Sequence, residues 1–114
     1  MFHKTIFSFH PYFVILTLMN KQEIILEIQN NLPFLRQNFH VESLGIFGSV
    51  VRDEQTEKSD VDMLVEFNSP VGFFDFIRLE NFLSETLKQK VDLVTKNALK
   101  PVIKDEIIKE TLYV

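Results

Sequence analysis

The chain contains no cysteine. Disulfides and thiolate metal sites are therefore excluded, and any bound metal must take oxygen or histidine ligands. A cysteine-free composition also fits a reducing cytoplasm, which is the expected location. An excess of base is missing too: 12 Lys and Arg stand against 16 Asp and Glu, for a formal net charge of -4. Broad nucleic-acid binding relies on clustered cations to neutralise phosphates and is not expected. The chain also lacks a membrane-length apolar run. A spanning helix takes about 20 apolar residues, whereas the stretch from Ile6 to Leu18 is interrupted by Ser8, His10, Pro11 and Thr17. Insertion into a membrane is not expected. There is no internal repeat and no low-complexity segment. The three histidines, His3, His10 and His40, have no ligand spacing and read as exposed or packed residues.

What is present suffices for one domain: 114 residues, of which 46% are hydrophobic, can bury a single core and leave no room for a second. Residues 1–19 differ in character from the rest. They carry one Lys and no acid, and they read as an N-terminal apolar appendage upstream of a natural start at Met19. A secretory signal has a similar outline, but no small-residue cleavage site follows. The domain proper is expected over 20–114.

Asn20 followed by Glu23 has the form of a capping box, so a helix should start there. Ile24, Ile25, Ile28 and Leu32 share one face of it. Pro33 lacks an amide hydrogen and should limit this helix, leaving a kink or a second short helix to carry Phe34, Leu35 and Phe39. Val41 to Phe47 reads as a strand, Val50 to Asp53 as the start of a short helix, and Asp53 to Ser59 as a solvated loop. A second strand is expected over Val61 to Phe67, a long amphipathic helix over Phe73 to Gln89, a third strand over Lys90 to Thr95, and a last helix opening at Pro101 with Val102, Ile103, Ile107 and Ile108 on its apolar side. The phenylalanines at 73, 74, 76 and 82 read as core, with one of the adjacent pair Phe73 and Phe74 left for a partner surface or a ligand pocket. Tyr113 reads as a packed terminal tyrosine.

The chemistry gathers between Leu44 and Glu66. Asp60 and Asp62 are two apart, and on a strand both side chains would take the same face. Two carboxylates so placed repel unless a cation lies between them, and magnesium binds through one or two carboxylates together with substrate phosphate. Gly48 and Ser49 stand where a strand is expected to turn into a helix, where free amides favour an anion. Asp92, in the middle of a neighbouring expected strand, would be a costly lone buried acid unless a shared metal partnered it. Such a set suits displacement at phosphorus, with metals clamping the attacking and leaving oxygens and Asp92 orienting or deprotonating the attacking hydroxyl. Arg52 reads either as a phosphate or partner contact or as a surface ion pair with Glu54 or another acid.

Gly48-Ser49, ten residues, Asp60-Val61-Asp62 and then Asp92 resemble the signature of the polymerase-beta-like nucleotidyltransferases. The flanks make the chain similar to the minimal nucleotidyltransferase (MNT) proteins from about Asn20 to Val114: Gly-Ser-x-x-Arg at 48–52, Ser59, Leu-Val-Glu-Phe at 64–67, Val-Asp-Leu-Val at 91–94 and a closing Glu-x-x-Tyr-Val. It departs from them at Asp53, where that family often has glycine, and at Val50 and Val51, where smaller residues are usual. The resemblance implies an α/β (α+β) fold, with a small mixed β-sheet flanked by helices. It implies two Mg2+ ions on Asp60, Asp62 and Asp92, and ATP as substrate, held at Gly48 and Ser49 with Arg52 and Ser59 beside them. Many MNT proteins are antitoxins of HEPN ribonuclease toxins encoded next to them. The resemblance therefore implies a hetero-oligomeric partner of that kind and transfer of AMP to one of its tyrosines. Two rival readings stay open: the same chemistry on a small hydroxyl compound such as an aminoglycoside, and a non-catalytic antitoxin that neutralises by binding.

Overall fold

The computed structural model describes residues 18–114, so the expectations for the apolar segment before Leu18, His3 and His10 included, lie outside the described residues. Met19 itself is buried in the core, and the Gln55 side-chain amide donates to its carbonyl at 2.9 Å. Among the described residues no helix is long and apolar enough to cross a membrane.

Helix α1 spans Lys21–Phe39. It opens on the expected capping box: the Glu23 amide donates to Asn20 Oδ1 and the Asn20 amide to Glu23 Oε1, both at 2.9 Å. Pro33 does not end it. The buried residues Ile24, Ile28, Leu35 and Phe39 form one stripe that runs past the proline. Burying Leu35 and Phe39 is worth about 1.5–3 kcal/mol each, enough to offset the roughly 3 kcal/mol that an interior proline costs. The helix stops at His40, which turns left-handed with φ 58°.

Strand β1, Val41–Phe47, pairs antiparallel with β2, Val61–Phe67, and β2 pairs in parallel with β3, Val91–Thr95. Helix α2, Phe73–Leu87, makes the crossover between the parallel pair, and a short 3-10 turn over Lys96–Ala98 leads into α3, Pro101–Glu110. A last strand that the sequence did not signal, β4 (Leu112–Tyr113), pairs antiparallel with the free edge of β1, giving the sheet order β3-β2-β1-β4. Two residues are too few to show a period, and what admits them is Gly45. A Cβ there would stand 2.9 Å from the Leu112 carbonyl oxygen and run into Thr111 Cγ2.

Side chains alternate across a strand. Val61, Met63 and Val65 of β2 and Val91 and Leu93 of β3 are buried with Ile24, Ile28 and Leu35 of α1 and Leu79, Leu83 and Leu87 of α2 in one core cluster. Asp62 and Asp92, at the intervening positions, face the other way. Leu79, Leu83 and Leu87 fill the buried face of α2, and Phe76 and Phe82 pack partly buried against the core beside them. Phe73 and Phe74 are both exposed, at 72% and 79%. No residue of α3 is buried, and Tyr113 is half exposed, with Lys96 Nζ lying 5.8 Å from its ring centroid.

The short helix expected after β1 is instead a tight set of turns. Arg52 donates to the Gly48 carbonyl (3.2 Å), Asp53 to Val50 (3.2 Å) and Glu54 to Ser49 (2.8 Å), and the chain reverses through Asp53 at φ 57°. A left-handed non-glycine residue costs roughly 1–2 kcal/mol, and Asp53 is also the position where MNT proteins often have glycine. Asp53→Gly is expected to stabilise the domain by up to about 2 kcal/mol, the backbone relief less up to about 1 kcal/mol for the exposed Lys21 pair it removes. Chemical denaturation reads this directly, and a clear loss of stability would contradict the strain assigned to Asp53.

Candidate active site

The end of β1 and the start of β2 bring the site together. Phe47 is in register with Asp62, and Asp62 is in register with Asp92 across the parallel pair, so the two acids sit side by side on adjacent strands, about 4.8 Å apart along the hydrogen-bonding direction. Asp60 lies just before β2, with Oδ2 3.8 Å from Lys90 Nζ. At Gly48 the chain leaves the sheet with φ 78°, a conformation that favours glycine. A Cβ at this position would collide with Asp62 Oδ2, and Asp62 Cγ would be 3.1 Å away. The backbone of the Gly48-Ser49 turn thus lies directly against the Asp62 carboxylate.

The electrostatics follow from this crowding. Partial burial, then Asp92, then Asp60 push the Asp62 carboxyl up to about 6 from its ordinary 3.8, with Glu110 adding to the rise and Arg52 opposing it. The acid that carries the burial is Asp62. Asp92, expected to be buried, is exposed on its strand, so its place in the site comes from its register with Asp62 and not from desolvation.

Among the described residues no group of three or more His, Cys, Asp or Glu stands ready to hold a metal ion by itself. Magnesium does not require such a cage, since it keeps several waters and is usually held by one or two carboxylates plus substrate phosphates. Asp62, carrying a charge that burial and two neighbouring acids disfavour, fits an oxygen-ligated cation.

Ser49 begins the turn, and its amide and hydroxyl make no hydrogen bond among the described residues. Ser59 is engaged locally: its hydroxyl accepts from the Thr56 amide at 2.9 Å and closes a turn. Arg52 is drawn into ion pairs. Its Nε donates to Glu54 Oε1 at 2.9 Å and its Nη1 to Glu110 Oε2 at 2.7 Å. Glu110 was not singled out in the sequence as a site residue, yet its Oε1 also accepts from the Gly48 amide at 2.9 Å. Partial burial pushes the Glu110 carboxyl up, but the Gly48 amide and Arg52 outweigh burial and hold it below the usual range. One signal was available: an acid in the last turn of a helix opposes the macrodipole and calls for a compensating partner.

The shift at Asp62 has a sign that can be measured. Because its pKa is raised in the folded state, the native domain binds this proton more tightly than the unfolded chain. Ionisation therefore lowers stability as pH rises from 3.8 through about 6, and the cost is fully present above that window. Asp62→Asn removes the charge. Without divalent cations, the variant is expected to melt higher than the wild type above pH 7, with the gap closing toward pH 4. A gap that does not change with pH would contradict the crowding of the three acids.

Residues 28–114 match the family model described as the nucleotidyltransferase domain. Among sequence relatives, protein adenylyltransferase MntA of Thermococcus cleftensis is 45% identical over 80 residues, which is 70% of this chain and 81% of the relative. A solved structure of a proposed minimal nucleotidyltransferase superposes with a TM-score of 0.72 at 28% identity, covering 82% of this chain and 95% of that one. The same fold recurs, at 20% identity and a TM-score of 0.52, in a complex of a tri-AMPylated Shewanella oneidensis HEPN toxin with its MNT antitoxin, over 82% of this chain and 67% of that one.

Proposed function

The chain belongs to the nucleotidyltransferase family, and on that footing we propose that it transfers AMP from ATP to a tyrosine of a HEPN-type toxin and thereby acts as that toxin's antitoxin. The observation that carries this reading is the close approach of the Gly48 backbone to Asp62, itself in register with Asp92. A phosphate-binding turn and a cation-demanding carboxylate would share one substrate. The relatives supply the acceptor class: MntA is named a protein adenylyltransferase, and the MNT antitoxin complex holds an AMPylated HEPN toxin.

Asp60, Asp62 and Asp92 would hold Mg2+, which when bound would neutralise charge on the triphosphate and on the developing pyrophosphate. The Ser49 amide and hydroxyl would donate to the phosphate chain. The acceptor phenol oxygen forms a bond to the α-phosphorus as the bond between that phosphorus and the α,β-bridging oxygen breaks, and pyrophosphate leaves. Asp92, exposed on its strand, would take the phenol proton.

Two labelled nucleotides test the reaction class. With the product of the adjacent gene and magnesium, label from the α-phosphate of ATP should pass to the partner with release of pyrophosphate, and label from the γ-phosphate should not. Transfer of the γ-label would indicate a kinase and overturn the proposal.

A further inference from the structure

We propose that Glu110 is a positioning residue for the nucleotide site, clamping the Gly48 amide and the Arg52 guanidinium so that the Ser49 end of the turn and the remaining N–H groups of Arg52 face the triphosphate. This rests on the nucleotidyltransferase reading of the site.

Three observations carry it. First, the β1–β4 ladder pairs Ile46 with Leu112 and Gly45 with Tyr113. Continued by two residues in the same register, it sets Glu110 opposite Gly48. The Glu110 carboxylate thus stands where a strand carbonyl would otherwise receive the Gly48 amide, and it extends the ladder into the turn. Second, the segment that delivers Glu110 is fixed. Thr111 is buried, its amide donates to the carbonyls of Ile107 and Ile108, its hydroxyl donates to Ile107 at 2.7 Å, and Val114 donates to Leu44 at 2.9 Å. Third, the same carboxylate holds Arg52 through its other oxygen, so one side chain sets both the amide that shapes the turn and the cation beside it. Charge-assisted bonds of this kind are the stronger ones and impose orientation as well as energy.

A consequence follows for the anion turn. The Gly48 amide is already taken, so the phosphates would be met by Ser49 and by Arg52, with Gly48 contributing close approach and the left-handed bend.

The substitutions separate this role from bulk stability. In Glu110→Gln the side-chain carbonyl still accepts from Gly48, but the amide nitrogen cannot accept from Arg52. Glu110→Ala loses both bonds. Affinity for a non-hydrolysable ATP analogue with magnesium, measured by calorimetry on the full chain, is expected to fall about tenfold in Glu110→Gln, the equivalent of one charge-assisted bond, and further in Arg52→Ala, which also removes the phosphate contact. The double variant should be no weaker than Arg52→Ala alone, because without Arg52 there is no guanidinium left for Glu110 to position. KM for ATP should rise more than kcat falls, and the Gly48 amide resonance should keep its hydrogen-bonded position in Glu110→Gln and lose it in Glu110→Ala. Wild-type affinity in Glu110→Gln at temperatures where it is folded would overturn the proposal, and so would tighter binding in Glu110→Ala, which would make the carboxylate a competitor of phosphate. A wild-type chain that binds no nucleotide would overturn both this proposal and the reading it rests on.

Discussion

Asp62→Asn is expected to reduce AMP transfer by about a thousandfold or more, the scale seen when a group that stabilises transition-state charge is removed, while the metal-free domain becomes more stable at neutral pH. The two effects have one origin. Asp62 is partly buried beside Asp92 and Asp60 and against the Gly48 backbone, and its ionisation is disfavoured there. A residue selected for packing would not carry that charge, and a surface acid would not be pressed against a turn. Asparagine has nearly the same shape, so the loss of activity cannot be attributed to collapse of the fold. Asp60→Asn should lose activity with a smaller gain in stability, because Asp60 already has Lys90 nearby. If Asp62→Asn instead kept most of its transfer activity, the acid set would have no catalytic role.

Gly48→Ala is the second large effect, and it damages stability and activity together. An alanine at φ 78° costs about 1–2 kcal/mol from the backbone alone. At roughly 4–8 °C per kcal/mol for a domain of this size, the melting temperature should drop by about 5–15 °C. The new methyl would also occupy the space of Asp62 Oδ2, forcing the carboxylate or the turn to move. Transfer is then expected to fall by about a hundredfold, because a displacement of about 1 Å at a reacting centre has that scale. Melting and single-turnover transfer, both measured below the transition, separate the two losses. A variant that lost stability but kept full activity would show that the turn need not touch Asp62.

The elements that the sequence made legible are those whose neighbours are local. The capping box at Asn20 needs only Glu23, three residues on, and strands β1 and β2 announce themselves by short apolar runs between polar stretches. Pro33 misled because an interior proline is a local penalty, whereas the buried stripe through Leu35 and Phe39 depends on a sheet formed later in the chain. Of the pair Phe73 and Phe74, one was expected to face inward and neither does. Helical spacing offered them a buried face, but the leucines at 79, 83 and 87 took it.

Within the candidate site, Gly48, Asp60, Asp62 and Asp92 were legible because residue type and spacing restrict what such a set can do. That Asp62, and not Asp92, would bear the burial was not legible, since each is the second residue of an apolar strand. Glu110 was hidden for a plainer reason: its bond to Gly48 spans 62 residues and exists only because a two-residue strand closes the sheet.

The central claim is that this acid set and its glycine turn drive covalent transfer to a protein partner. Its most direct test is the intact mass of the adjacent-gene product after incubation with ATP, magnesium and either the wild-type chain or Asp62→Asn. The account expects the partner to gain whole AMP increments with the wild type and none with the variant, and to lose its ribonuclease activity only in the first case. A partner silenced equally by both, with no mass added, would contradict it and leave neutralisation by binding alone.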